Sequence, residues 1–137
     1  MPDDSPVHET RIALTVQDYD TAVVFYRDVL GLPLVEEWNE PSGSGVVLDA
    51  GRATIEVLSP GQAALVERIE TGGGRPEHVR LALEVDDSPA LAEALESAGA
   101  ERLGGPVVTT WSHRNVRLRT PDGLQLTLFT VIEPQDG

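Results

Sequence analysis

The chain has no cysteine and no lysine. Without cysteine there is no disulfide framework, no thiolate metal centre and no thiol nucleophile, and the redox compartment is left open. All ten basic residues are arginine, which fits codon usage better than function. Positive charge is scarce overall: the formal net charge is -13. An acidic surface of this kind repels phosphate backbones, so nucleic acid and anionic membranes are poor partners, and its simplest use is solubility. Apolar runs fall far short of a membrane span, and Met1-Pro2-Asp3-Asp4 lacks the basic, then apolar, start of a secretory signal. The expectation is a soluble, cytoplasmic protein. Aromatic residues make up only 4%, including two tryptophans, so the position of each carries information.

What the sequence does contain is a repeat. Arg11-Ile12-Ala13-Leu14-Thr15-Val16-Gln17-Asp18 recurs as Arg80-Leu81-Ala82-Leu83-Glu84-Val85-Asp86-Asp87. Arginine, alanine, leucine, valine and aspartate coincide. The chain therefore reads as two copies of one module, residues 7–70 with a linker helix and residues 78–132, within one domain of 137 residues. Strict alternation makes residues 11–16 a half-buried strand. Asp18 and Asp20 can cap a helix over 21–30, with Ala22, Val23, Phe25, Tyr26, Val29 and Leu30 as its apolar stripe and Gly31 as its stop. Strands follow at 33–38, 46–49 and 53–58, with 41–45 as a mobile rim. A short helix over 60–70 and a glycine-rich joint, 71–76, lead to the second copy. There a strand over 79–85 and a helix over 88–98 precede a break at Gly104-Gly105-Pro106, then strands at 107–109, 115–119 and 124–131. The fold class is α+β: two tandem βαβββ modules forming a curled mixed sheet around a cleft, with helices on the outer face.

Alternation puts Arg11, Ala13, Glu56, Arg80, Ala82, Arg117, Thr127 and Phe129 on the uncovered face. Four motifs then carry a family resemblance: Val16-Gln17-Asp18 ending the first strand, Phe25-Tyr26-Arg27-Asp28-Val29-Leu30-Gly31-Leu32, Glu84-Val85-Asp86-Asp87, and the turn Pro121-Asp122-Gly123. In this order and spacing the chain resembles the vicinal oxygen chelate superfamily of glyoxalases, bleomycin resistance proteins and extradiol dioxygenases, from about Arg11 to Phe129. The resemblance implies paired βαβββ modules, a small-molecule ligand and a homodimer. It also implies a divalent metal held by the first and last strand of each module, at positions matching Arg11, Glu56, Arg80 and Thr127. Only Glu56 is a good ligand. Guanidinium has no lone pair to give, and a neutral threonine hydroxyl binds metals feebly. Each arginine would also repel a dication, by about 4 kcal/mol per unit-charge pair at 4 Å and an effective dielectric of 20.

The expectation is thus no cofactor and a metal-independent binding protein, sequestering or carrying an aromatic or anionic compound as resistance-type relatives do. Its ligand-binding residues are taken as Arg11, Glu56, Arg80, Trp111, Arg114, Arg117, Thr127, Phe129 and Trp38. Arg11 and Arg80 would flank Glu56 in a triad with one surplus positive charge, suited to an anion. The arginines are expected to lower the Glu56 pKa and weaken it as a base. The alternative is an enzyme, a glyoxalase-like lyase, isomerase or dioxygenase, with one divalent ion on the displaced set Glu56, His78 and His113.

Overall fold

A computed structural model describes residues 5–132. Eight strands form one open mixed sheet in the order β2-β3-β4-β1-β5-β8-β7-β6. The first module contributes β1 (Val7–Thr15), α1 (Tyr19–Val23), β2 (Leu34–Glu40), β3 (Gly43–Asp49) and β4 (Thr54–Leu58). The second contributes β5 (Val79–Val85), α3 (Ser88–Ser97), β6 (Glu101–Val108), β7 (His113–Arg119) and β8 (Gln125–Val131), with α2 (Pro60–Thr71) between them.

The repeat explains the topology. Within each copy the first and last strands pair in parallel, β1 with β4 and β5 with β8. The two copies join through antiparallel β1 and β5, where Ile12 stands opposite its own repeat equivalent, Leu81. A pseudo-twofold axis passes through that pair, and it makes Ala13 face Arg80 and Arg11 face Ala82.

Both expected outer helices lie on the convex side. Under α3 the core is Val85, Ala92, Val116, Leu118, Leu126 and Leu128, and under α1 it is Val23, Val46, Leu48 and Val57. Asp87 caps α3 by accepting from Ala90 N at 3.0 Å, and Asp18 caps α1 by accepting from Thr21 N at 3.1 Å. The expected helix over 21–30 is altered: after Val23 it widens into a π turn, Val24–Val29. The extra residue rotates the apolar stripe, so Phe25, Val29 and Leu30 point to solvent and do not join the core.

Two expected breaks are also strand. β6 runs through Gly104-Gly105-Pro106 with register shifts that absorb the irregularity. Gly43, Ser44 and Gly45 belong to β3, not to a loose rim, because both glycines are pressed from above. A Cβ on Gly43 would sit 2.3 Å from Gln62 N, and one on Gly45 would sit 2.1 Å from Trp38 Cζ2.

The linker helix α2 does more than connect. Ser59 caps it, accepting from Gln62 N at 3.2 Å, and left-handed Gly72 ends it. Between these it crosses the concave side from Gly43 on β3 to Gly104 on β6, where a Cβ would come within 1.9 Å of Glu70 O. Its buried face is Gln62, Ala63, Val66, Glu67 and Glu70. The concave side is therefore divided into a part sealed by α2 and a part left open.

Candidate functional site

The open part is a cavity of about 460 Å³. Its wall includes Arg11, Glu56, Arg80, Thr127, Phe129, Trp38 and Trp111, all expected on the binding face or at its mouth. Sheet register explains how the strand residues meet. Glu56 on β4 and Arg80 on β5 both pair with Ala13 on β1, so they flank its methyl in one transverse row. The symmetry-related row places Arg11 and Thr127 on either side of Ala82.

Two expected residues lie elsewhere. Arg114 is exposed, and its carbonyl accepts from Ser88 Oγ at 2.8 Å, because its parity points it away from the concave face that His113 and Asn115 share. Arg117 has the right parity but lies beneath α2 and is wholly buried. Its Nη1 donates to Glu67 Oε1 and Gln125 Oε1, both at 2.7 Å, and its Nε donates to Glu70 Oε1 at 2.9 Å. Glu70 also accepts from Thr127 Oγ1 and Asn115 Nδ2, both at 2.8 Å. Burial acts to raise the Glu70 pKa, but Arg80, Arg117 and these hydrogen bonds outweigh it and hold the carboxyl below the usual range.

The expected triad is open on one side. Arg11 Nη1 stands 3.7 Å from Glu56 Oε2, and Arg11 Nε stands 3.2 Å from Glu9 Oε1. Its guanidinium also lies 5.1 Å from the centre of the Phe129 ring. Arg80 does not close on Glu56: Nη1 donates to Thr127 Oγ1 at 2.9 Å, and among the described residues no carboxylate comes within 4.0 Å of it. Glu56 receives no hydrogen bond among the described residues. Burial pushes its pKa up, against the pull of Arg80 and Arg11, with Glu70 and Glu36 adding to the rise. The sequence-based expectation of a lowered pKa is thus reversed, because desolvation outweighs two cations that make no contact closer than 3.7 Å.

His113 reaches the cavity, stacked on Phe129 at 4.9 Å with 18° between the rings. Burial and Arg11 lower its pKa. His78 is exposed beside Thr15, Arg75 and Glu77, outside this cavity. Glu56, His78 and His113 are therefore not assembled, and among the described residues no three His, Cys, Asp or Glu side chains converge to hold a metal ion. The four positions matching the family's metal ligands do not fit one either: two are guanidinium groups, and the Thr127 hydroxyl already bridges Arg80 and Glu70.

The family comparison agrees with the topology. A model of the Glyoxalase/Bleomycin resistance protein/Dioxygenase superfamily matches residues 10–128. The chain belongs to this superfamily. Among superfamily-like relatives, the uncharacterized protein YraH of Bacillus subtilis is 28% identical over 126 residues, covering 89% of this chain and 97% of that one. Hypothetical protein BH1468 from Bacillus halodurans superposes with a TM-score of 0.69 at 18% identity, over 97% of this chain and 100% of that one. Methylmalonyl-CoA epimerase from Mycobacterium tuberculosis superposes with a TM-score of 0.67 at 23% identity, over 98% of this chain and 94% of that one. At such identities the two structures speak for the superfamily fold alone.

Sequence reasoning missed the contribution of α2 to the wall, from Gln62, Leu65, Val66 and Glu70, and that of Glu36 and Glu40 on β2. A signal for α2 existed: Ala63, Val66, Glu67 and Glu70 share one helical stripe. Two of the four are acidic, so an apolar pattern search passes over them.

Proposed function

We propose that the chain is a metal-independent small-molecule-binding protein that sequesters or carries an aromatic or anionic compound in the open cavity. The observation that carries this reading is Arg80, more than nine-tenths buried at the cavity wall with no carboxylate partner among the described residues. Glu70 and Glu56 act on it only from beyond ion-pair distance, so an anion entering the cavity would gain a direct charge-assisted hydrogen bond from it. The aromatic part of the reading draws support from Trp38, Trp111 and Phe129 around the same space, whose size suits a small organic molecule. The test is tryptophan fluorescence of chelator-treated protein against a panel of small aromatic and anionic compounds. A bound compound should lose at least about tenfold in affinity in Arg80→Ala and in Trp111→Ala, in line with loss of a charge-assisted hydrogen bond or an aromatic contact. Normal binding by both variants contradicts the reading.

An enzymatic reading has one observation in its favour: Glu56 faces the cavity, and burial raises its pKa and so its basicity. Its mark is chemical conversion of a bound compound that disappears in Glu56→Gln. We further propose that the protein acts in the cytoplasm as a homodimer. Exposed Val24, Phe25, Val29 and Leu30 on α1 and its π turn, with Leu34 and Val35 on the edge strand β2, support this. Light scattering should then show a dimer that Phe25→Glu dissociates.

A further inference from the structure

Glu56 and Arg80 both line the cavity and flank Ala13 in one row, so they bound a slot with opposite charges at its ends. Their two strands are two strand spacings apart, about 10 Å between backbones, with Ala13 buried between them. Neither end is saturated. Arg80 spends one nitrogen on Thr127, and Glu56 accepts nothing among the described residues, its nearest cation standing 3.7 Å away. Arg11 lies beside Glu9 and over Phe129, although its Nε is buried without a hydrogen bond among the described residues.

The charge around the cavity narrows the occupant further. Four carboxylates, Glu36, Glu40, Glu56 and Glu70, share the wall with two arginines, Arg11 and Arg80. A polyanion such as a phosphate ester would gain Arg80 and meet the acidic wall. A single negative charge gains the same arginine with less repulsion. Glu56, whose side chain keeps 14% exposure at the cavity wall and accepts no hydrogen bond among the described residues, offers an acceptor to a donor on the same molecule.

Resting on the small-molecule-binding reading above, we infer that the slot takes an aromatic monocarboxylate that also carries a hydroxyl or amino group. The carboxylate is held by Arg80 and the donor by Glu56, both on the cavity wall. The raised pKa of Glu56 agrees with a carboxyl that lacks donors until the ligand supplies one.

The test is a fluorescence titration of the wild-type protein, free of chelatable metal, with 4-hydroxybenzoate, benzoate, phenol and phenyl phosphate. Expected is tightest binding of 4-hydroxybenzoate, by about tenfold over both benzoate and phenol, with phenyl phosphate weaker than benzoate; each margin is the size of one charge-assisted hydrogen bond. Arg80→Gln should remove the advantage over phenol, and Glu56→Gln should remove most of the advantage over benzoate. The wild-type series stands even if a variant fails to fold. Equal binding of benzoate and 4-hydroxybenzoate overturns the inference, as does phenyl phosphate binding as well as benzoate. If all four are silent while other aromatic or anionic compounds bind, the slot assignment falls and the broader reading survives. If the whole panel is silent, both fall.

Discussion

Arg80 and Arg117 stand on the same concave face, both more than nine-tenths buried, and both donate to the Thr127 hydroxyl, at 2.9 and 3.1 Å. Their surroundings differ in one respect. Beneath α2, Arg117 meets two carboxylates and a glutamine; in the open cavity, Arg80 meets none. The same contrast separates Glu70, at the border where α2 meets the cavity and with three hydrogen bonds, from Glu56, with none among the described residues. Residue type is alike in the two regions, and burial differs only in degree, with 14% of the Glu56 side chain exposed against 2% for Glu70, so residue type does not identify a binding group. Saturation does: the sealed half has its partners within the fold, and the open half leaves donor and acceptor capacity facing space. Even the sealed half is not perfect, since Arg117 Nη2 and Asn115 Oδ1 are buried without partners among the described residues.

The largest effect expected from breaking this contrast is on folding. Arg117→Met would leave Glu67 and Glu70 buried without their cation, and urea unfolding should show a loss of about 3–5 kcal/mol, as for a buried ion pair stripped of one partner. Arg80→Met removes a cation that makes no ion pair within 4.0 Å but still favours the ionised Glu70, and should cost less than Arg117→Met, by about 1–2 kcal/mol. Equal losses in the two variants would erase the distinction.

Next in size is Gly104→Ala. Its methyl would collide with the backbone of α2 at Glu70, which has no flexible end to swing aside. A loss of about 1–3 kcal/mol is expected by urea unfolding, of the size seen for overpacking. Weaker protection of α2 amides from hydrogen exchange should accompany it.

The smallest effect is a difference in pH dependence. Glu70 has a depressed folded pKa, so its stabilising contribution is present above the ordinary carboxylate range and is lost as pH falls through the folded value. Glu56 has a raised folded pKa. Its contribution is present in acid, below the unfolded value, and is lost as pH rises through the folded value. Glu56→Gln should therefore raise the melting temperature at neutral pH and lose that advantage in acid. Glu70→Gln should lower it at neutral pH, with the deficit shrinking as pH falls. The same sign for both variants would contradict the assigned environments.

Much of this arrangement was legible in the sequence for a definite reason. The repeat of Arg11 at Arg80 fixes which strands are equivalent, and period-two alternation then carries Glu56, Thr127 and Phe129 to the same face. Fate on that face was not legible. Arg80 and Arg117 have the same parity, and only the path of α2 decides which of them is sealed. That path depends on glycines at 43 and 104 that allow backbone to approach backbone, whereas the sequence pattern presents them as breaks. The π turn was equally hidden, since Phe25, Val29 and Leu30 satisfy helical spacing and are turned outward by one extra residue per turn.

As proposed, the open half of the face would bind its ligand through side chains without a metal. Elemental analysis of untagged protein, purified without chelator and then offered manganese, nickel, zinc and iron, tests it most directly. No retained metal beyond trace amounts is expected. A full equivalent per chain that is lost in Glu56→Ala would contradict it, and would make Glu56 a ligand in place of a ligand-binding acceptor.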